Sequence, residues 1–186
     1  MDKSENRLKY KIEDKIGILG GTFDPPHKGH LKISQLAKKK FNLKKVIWAI
    51  TKKNPFKTKS YFYLNKRIKL SRNLTKNQKY IKIDFFEKKI NSNKTINLIK
   101  HFKDKNKKRE IYFLLGADNL INFHKWNNWR KIPKFCKIVV FDRKSFKTKA
   151  KRSLAYKSLK NKGLIYINFK KINISSSKIR NFWYDQ

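Results

Sequence analysis

Short apolar runs alternating with helical stripes, a Gly-Gly turn between the first strand and the first helix, and one unbroken apolar run together predict an α/β fold. Strands separated by helices run parallel, because a parallel partner needs a crossover connection. The unbroken run, Glu110-Ile111-Tyr112-Phe113-Leu114-Leu115, suits a strand covered on both faces. The expected architecture is therefore a parallel sheet with helices on both faces.

The elements follow in order. Met1 to Asp14 is polar and without periodicity and reads as a loose leader, so residues 15–186 form a single domain long enough to bury one core. Lys15 to Leu19 is the first strand, and Ile33, Leu36, Ala37 and Phe41 give the segment Leu31 to Phe41 a helical stripe. Lys45 to Thr51, rich in β-branched and aromatic residues, is the second strand, and Pro55 marks the loop after it. A helix over Leu64 to Thr75, a strand over Tyr80 to Phe86 and a helix over Thr95 to Phe102 precede the central apolar run. A tryptophan-rich helix is expected from Leu120 to Ile132, then a strand over Lys137 to Phe141 and a helix near Arg152 to Lys160. The last strand is Leu164 to Phe169, and a final helix opens at Ile174 to Arg180. This alternation is that of a Rossmann-like sheet.

The first strand-to-helix turn, Gly20-Gly21-Thr22-Phe23-Asp24-Pro25-Pro26-His27-Lys28-Gly29-His30, carries the clearest chemistry. Glycines let the backbone approach a phosphate, and the helix behind them aims its free N–H groups at it. His27 and His30, three residues apart at the helix start, lie on one face near that anion site, where imidazoles can donate hydrogen bonds to phosphate oxygens. The bland alternative is a helix start with one capping histidine and one solvated one. Near the other end, Ile174-Ser175-Ser176-Ser177-Lys178-Ile179-Arg180 sets hydroxyls and two cations at a helix start. That is a second anion site, or simply an N-cap with solvated charges.

Fifty lysines and arginines against 12 acidic residues give a formal net charge of +38. The excess is overwhelmingly lysine and is spread along the whole chain, so no specific nucleic-acid partner is expected, although anionic nucleotides are drawn in. A lone Cys136 fits a reducing compartment, and no Cys/His cluster has zinc spacing. No apolar stretch approaches the length of a membrane span, so the cytoplasm is the expected location.

Gly20 to Leu31 resembles the signature of the HxGH nucleotidyltransferase superfamily, whose members join a nucleoside triphosphate to a phosphate ester and release pyrophosphate. The segment Ile174 to Arg180 is similar to that superfamily's Ile-Ser-Ser-Thr-x-Ile-Arg motif, with Ser177 in place of threonine. Gly116-Ala117-Asp118 followed by Phe123-His124-Lys125-Trp126-Asn127-Asn128-Trp129 resembles a segment of bacterial nicotinate-nucleotide adenylyltransferases, and Asn54-Pro55-Phe56-Lys57 resembles their Asn-Pro-Leu-Lys loop. The resemblance implies adenylyl transfer from ATP to nicotinate mononucleotide, with Mg2+ accompanying ATP and no metal held by protein side chains. It implies ATP binding by Gly20, Gly21, Thr22, Phe23, His27, His30, Ile174, Ser175, Ser176 and Arg180, with His27, His30 and Arg180 catalytic. Among substrate-binding residues it implies Lys57, as a helper to the triphosphate clamps, Thr95 near the nicotinate carboxylate, Asp118 on a ribose and Trp126 stacked on the pyridine ring. Spacing alone would put Trp126 in the core. The second threonine usual after Thr95 and the Pro-Gly usual after Arg143 are missing. Two other readings compete: a pantetheine-phosphate adenylyltransferase, against which the tryptophans speak, and a lysine-rich nucleic-acid-binding protein without turnover. Oligomeric state is not legible.

Overall fold

The computed structural model describes residues 14–53, 60–142, 146–168 and 176–184. All of the expected leader but Asp14, together with Lys57, Ile174 and Ser175, lies outside the described residues. Six strands, β1 (Lys15–Gly21), β2 (Lys45–Ile50), β3 (Ile81–Asp84), β4 (Glu110–Gly116), β5 (Lys137–Phe141) and β6 (Leu164–Ile167), form one sheet in the order β3-β2-β1-β4-β5-β6. Every pairing is parallel. This is the doubly wound order, in which the chain builds outwards from β1, returns to its other side and builds outwards again from β4.

The helices are α1 (Lys28–Phe41), α2 (Leu64–Thr75), α3 (Thr95–Asp104), α4 (Ala117–Ile121), α5 (Lys147–Arg152), α6 (Leu154–Leu159) and α7 (Ser176–Tyr184). Strand residues feed two cores by alternation. Ile16, Ile18, Ile111, Phe113 and Leu115 pack with α3 to α6 on one face. Leu19, Val46, Trp48, Tyr112 and Leu114 pack with α1 and α2 on the other. The β4 run is thus buried on both sides, as its lack of polar alternation predicts. Gly17, inside β1, is required by this packing, since a Cβ there would lie 2.9 Å from Leu43 Cδ1 and 3.2 Å from Leu114 Cδ1. The segments after β1 and β4 leave to opposite faces, which opens a crevice between the carboxyl ends of these neighbours. Sheets of this kind bind ligands there.

One expected helix is not continuous. Over Leu120 to Ile132, α4 ends at Ile121, and two 3-10 turns, Phe123–Lys125 and Trp129–Lys134, take the remainder. Trp126 is extended (ψ 145°), Asn128 is left-handed (φ 51°, ψ 32°) and Pro133 removes a donor. The apolar spacing survives the breaks: Leu120, Phe123, Trp129 and Ile132 all enter the core. The helix expected near Arg152 to Lys160 is α6, and an unexpected short helix, α5, precedes it; the two are divided at Ser153, whose side chain caps α6 by accepting from Tyr156 N–H at 3.2 Å.

Candidate active site

α1 starts at Lys28, three residues earlier than the apolar stripe alone indicates, because the two histidines cap it. His27 is extended, and its Nδ1 accepts from Gly29 N–H at 3.1 Å, while His27 N–H donates to Nδ1 of His30 at 3.1 Å. This is the geometry of a capping box with imidazoles in both roles. A ring nitrogen that accepts carries no hydrogen, so the capping tautomer places the hydrogen on Nε2 in each ring. The two rings lie 3.9 Å apart between centroids, His27 buried and His30 partly exposed. Nδ1 of each ring thus holds the helix start.

Apolar and polar braces fix His30. Its ring lies 4.7 Å from Phe23 and 5.7 Å from the fully buried Trp48. Trp48 Nε1 donates to Ser34 Oγ at 2.8 Å, and Ser34 Oγ donates to the carbonyl of His30 at 2.9 Å. Phe23 takes a left-handed backbone (φ 49°), unusual for a bulky residue, and its ring stacks on Trp48 at 4.8 Å. The following Asp24–Pro25 peptide is cis.

The second anion motif docks on this turn. Ser176 Oγ donates to the carbonyl of Pro25 at 2.9 Å, Arg180 Nη1 donates to the carbonyl of Asp24, and Arg180 Nη2 donates to Ser177 Oγ at 3.1 Å. Motifs about 150 residues apart in sequence thus meet, Ser176 and Arg180 joining the turn that His27 and His30 close. A guanidinium has five donors, so these two bonds leave Arg180 capacity to meet an anion.

Of the remaining described candidates, Asp118 and Thr95 stand at the starts of the helices that follow β4 and β3. Asp118 lies in the first turn of α4, directly after β4, and its carboxylate folds back over Gly116, where a Cβ would lie 2.3 Å from Oδ1. Thr95 is the first residue of α3, whose N-cap makes no side-chain bond. Trp126 is half-buried, 4.9 Å from Phe123 and 6.0 Å from Phe113, whereas Trp129 is buried beneath Arg130. His124 Nδ1 lies 3.1 Å from the carbonyl of Ile121, and His101 packs on Phe102 and Phe86, its pKa lowered by burial and by Lys105.

Sequence reasoning missed two residues, one within the turn and one beneath it. The buried Asp24 carboxylate accepts Tyr61 N–H at 2.6 Å and Phe62 N–H at 2.9 Å. Arg67, on α2, is 1% exposed and donates to four backbone carbonyls. Burial pulls its pKa down, with Asp24 and Glu87 opposing. The available signal was an arginine, in a chain whose cations are mostly lysine, set three residues after Leu64 on the apolar stripe of α2.

Residues 18–182 match the family model described as cytidylyltransferase-like. A protein of Pelagibacter ubique (strain HTCC1062) described as "Probable nicotinate-nucleotide adenylyltransferase" is 54% identical over 180 residues, which span 97% of this chain and 99% of that protein. The chain belongs to the nicotinate-nucleotide adenylyltransferase family. A second family member so described, from Clostridium novyi (strain NT), is 36% identical over 171 residues, 90% of this chain and 86% of its own length. In fold, the family resemblance extends to Plasmodium falciparum nicotinic acid mononucleotide adenylyltransferase complexed with NaAD, at a TM-score of 0.72 and 21% identity over 91% of this chain and 84% of that one.

Proposed function

We propose that this protein transfers the adenylyl group of ATP to nicotinate mononucleotide, giving deamido-NAD and pyrophosphate in NAD biosynthesis. The observation that carries this reading is the union of the two anion motifs, with Ser176 and Arg180 bonded to the turn that His27 and His30 close. The full-length relatives described as nicotinate-nucleotide adenylyltransferases supply the acceptor.

A 5′-phosphate oxygen of the mononucleotide attacks the α-phosphorus of ATP, the bond to the bridging oxygen breaks, and pyrophosphate leaves in line. No protein nucleophile is required, and the rate comes from positioning and from donors aimed at developing charge. In this proposal Gly20, Gly21, Thr22 and Phe23 bring backbone to the triphosphate, while His27 and His30 donate through Nε2–H and Ser176 and Arg180 contribute from α7. Ile174, Ser175 and Lys57 would assist from the adjoining segments. Asp118 holds a ribose, Trp126 stacks on the pyridine ring, and the start of α3 at Thr95 faces the nicotinate carboxylate. Mg2+ bound with ATP would neutralise phosphate charge. Asp24, the acidic residue within the turn, already uses both carboxylate oxygens on Tyr61 and Phe62, so phosphate and water oxygens would hold that ion.

No helix among the described residues is long and apolar enough to cross a membrane. The cytoplasm, which supplies ATP and keeps thiols such as the buried Cys136 reduced, is the proposed location. Pyrophosphate release from ATP, measured with nicotinate mononucleotide, nicotinamide mononucleotide and phosphopantetheine in turn, tests the assignment. Nicotinate mononucleotide should give the highest kcat/KM, and faster turnover with phosphopantetheine would overturn the reading.

A further inference from the structure

Beneath the candidate site, Arg67 ties together three stretches of chain that are separate in sequence. Its Nη1 donates to the carbonyls of Thr22 at 2.6 Å and Thr51 at 2.8 Å, its Nη2 to Lys52 at 2.8 Å, and its Nε to Phe62 at 2.9 Å. From the opposite side, the Asp24 carboxylate takes the N–H groups of Tyr61 and Phe62. Phe62 is therefore held at both ends of its backbone, its N–H by Asp24 and its carbonyl by Arg67. Lys52 is held in the same way, since its N–H donates to Glu87 Oε1 at 3.2 Å while Arg67 takes its carbonyl. One side chain and one carboxylate thus set the distance between the phosphate turn at Thr22 to Asp24 and the segments at either end of the loop after β2.

We infer that Arg67 is a positioning residue, which holds the ATP-binding turn and the segments at either end of the loop after β2 in register for the reaction. The inference rests on the proposed adenylyl transfer. Stability alone would not select this residue: replacing a buried charge with well-packed apolar groups is often neutral or stabilising, whereas only a planar fork can reach carbonyls in several fixed directions. A lysine ammonium is a single point and cannot span Thr22, Thr51, Lys52 and Phe62 together.

The test compares the native protein with Arg67→Lys and Asp24→Asn, the latter weakening the clasp from its other side without changing volume. Melting temperature, kcat and both KM values are measured, with amide hydrogen exchange at Tyr61 and Phe62 followed by NMR in the presence and absence of a non-hydrolysable ATP analogue. A misplacement of about 1 Å costs roughly 10²-fold in rate, so a folded Arg67→Lys should lose about that much kcat, with smaller changes in KM. Exchange at Tyr61 and Phe62 should quicken while the strand amides remain protected. A folded variant that keeps native kcat and native exchange at these two amides, having lost only melting temperature, would overturn the inference. If Arg67→Lys does not fold, Asp24→Asn decides by the same criteria. Should the native protein release no pyrophosphate, the adenylyl-transfer reading fails on its own, and exchange in the ATP-analogue complex still judges the clasp.

Discussion

Trp126 and Trp129, three residues apart, occupy different environments, and the difference bears on what each can do. Trp129 is sealed into the core beneath Arg130, whereas Trp126 sits half-buried against Phe123 and Phe113. Stacking of a base on an aromatic side chain is worth about 1–3 kcal/mol by alanine substitution, so Trp126→Ala should raise KM for nicotinate mononucleotide roughly 5- to 150-fold. KM for ATP should barely move, and Trp126→Phe should recover much of the loss. Loss of the contacts to Phe123 and Phe113 will lower the melting temperature as well. Equal changes in both KM values would therefore assign Trp126 to packing. At this scale, His27, His30, Ser176 and Arg180 stood out as candidates because side-chain type and spacing mark them within two short motifs, which the fold brings together. Arg67 and Asp24 did not, because their partners are backbone groups elsewhere in the chain, which no side-chain pattern reports.

The elements that bear the site meet at two junctions, β1 to α1 and β4 to α4. At the second, Gly116 has φ −79° and ψ 156°, a conformation open to any residue, so its lack of a side chain answers to space. A Cβ there would lie 2.3 Å from Asp118 Oδ1, the far end of a short side chain able to rotate away. Gly116→Ala should therefore fold with little change in melting temperature, displace the Asp118 carboxylate and raise KM for the nucleotide whose ribose it is proposed to hold. A matching rise in Asp118→Asn would tie the two together. Unchanged KM values in Gly116→Ala would remove Asp118 from the site. Strands and long helices were legible as elements, since period two and period 3.6 report burial directly. The breaks between Leu120 and Ile132 were not, because apolar spacing stays helical across Asn122 and Asn128 while the backbone does not.

Over the whole molecule, charge is the dominant unbalanced quantity. The chain carries +38, with only 12 acidic residues, and three ion pairs are found among the described residues: Lys89–Asp84, Arg109–Asp14 and Lys137–Glu110. Exposed lysines stand on helices of both faces, including Lys32 and Lys39 on α1, Lys66 and Lys69 on α2, Lys100 on α3 and Lys157 on α6. Such a distribution repels itself, which works against the compact state. Salt shortens the reach of that repulsion, from about 30 Å at 0.01 M to about 8 Å at 0.15 M. The melting temperature should therefore rise as salt is added across that range, opposite to the behaviour of a fold held by surface ion pairs. The same screening weakens the long-range attraction of anionic substrates, so kcat/KM for ATP should fall while the protein becomes more stable. Duplex DNA should bind no better than about 10⁻⁴ to 10⁻⁶ M at physiological salt, as non-specific contacts do. Thermal unfolding, initial rates and DNA titrations over one salt series measure all three. A melting temperature that falls with salt, or a sequence-selective nanomolar complex with DNA, would show that the lysines are organised for a partner and are more than a diffuse field around a nucleotide site.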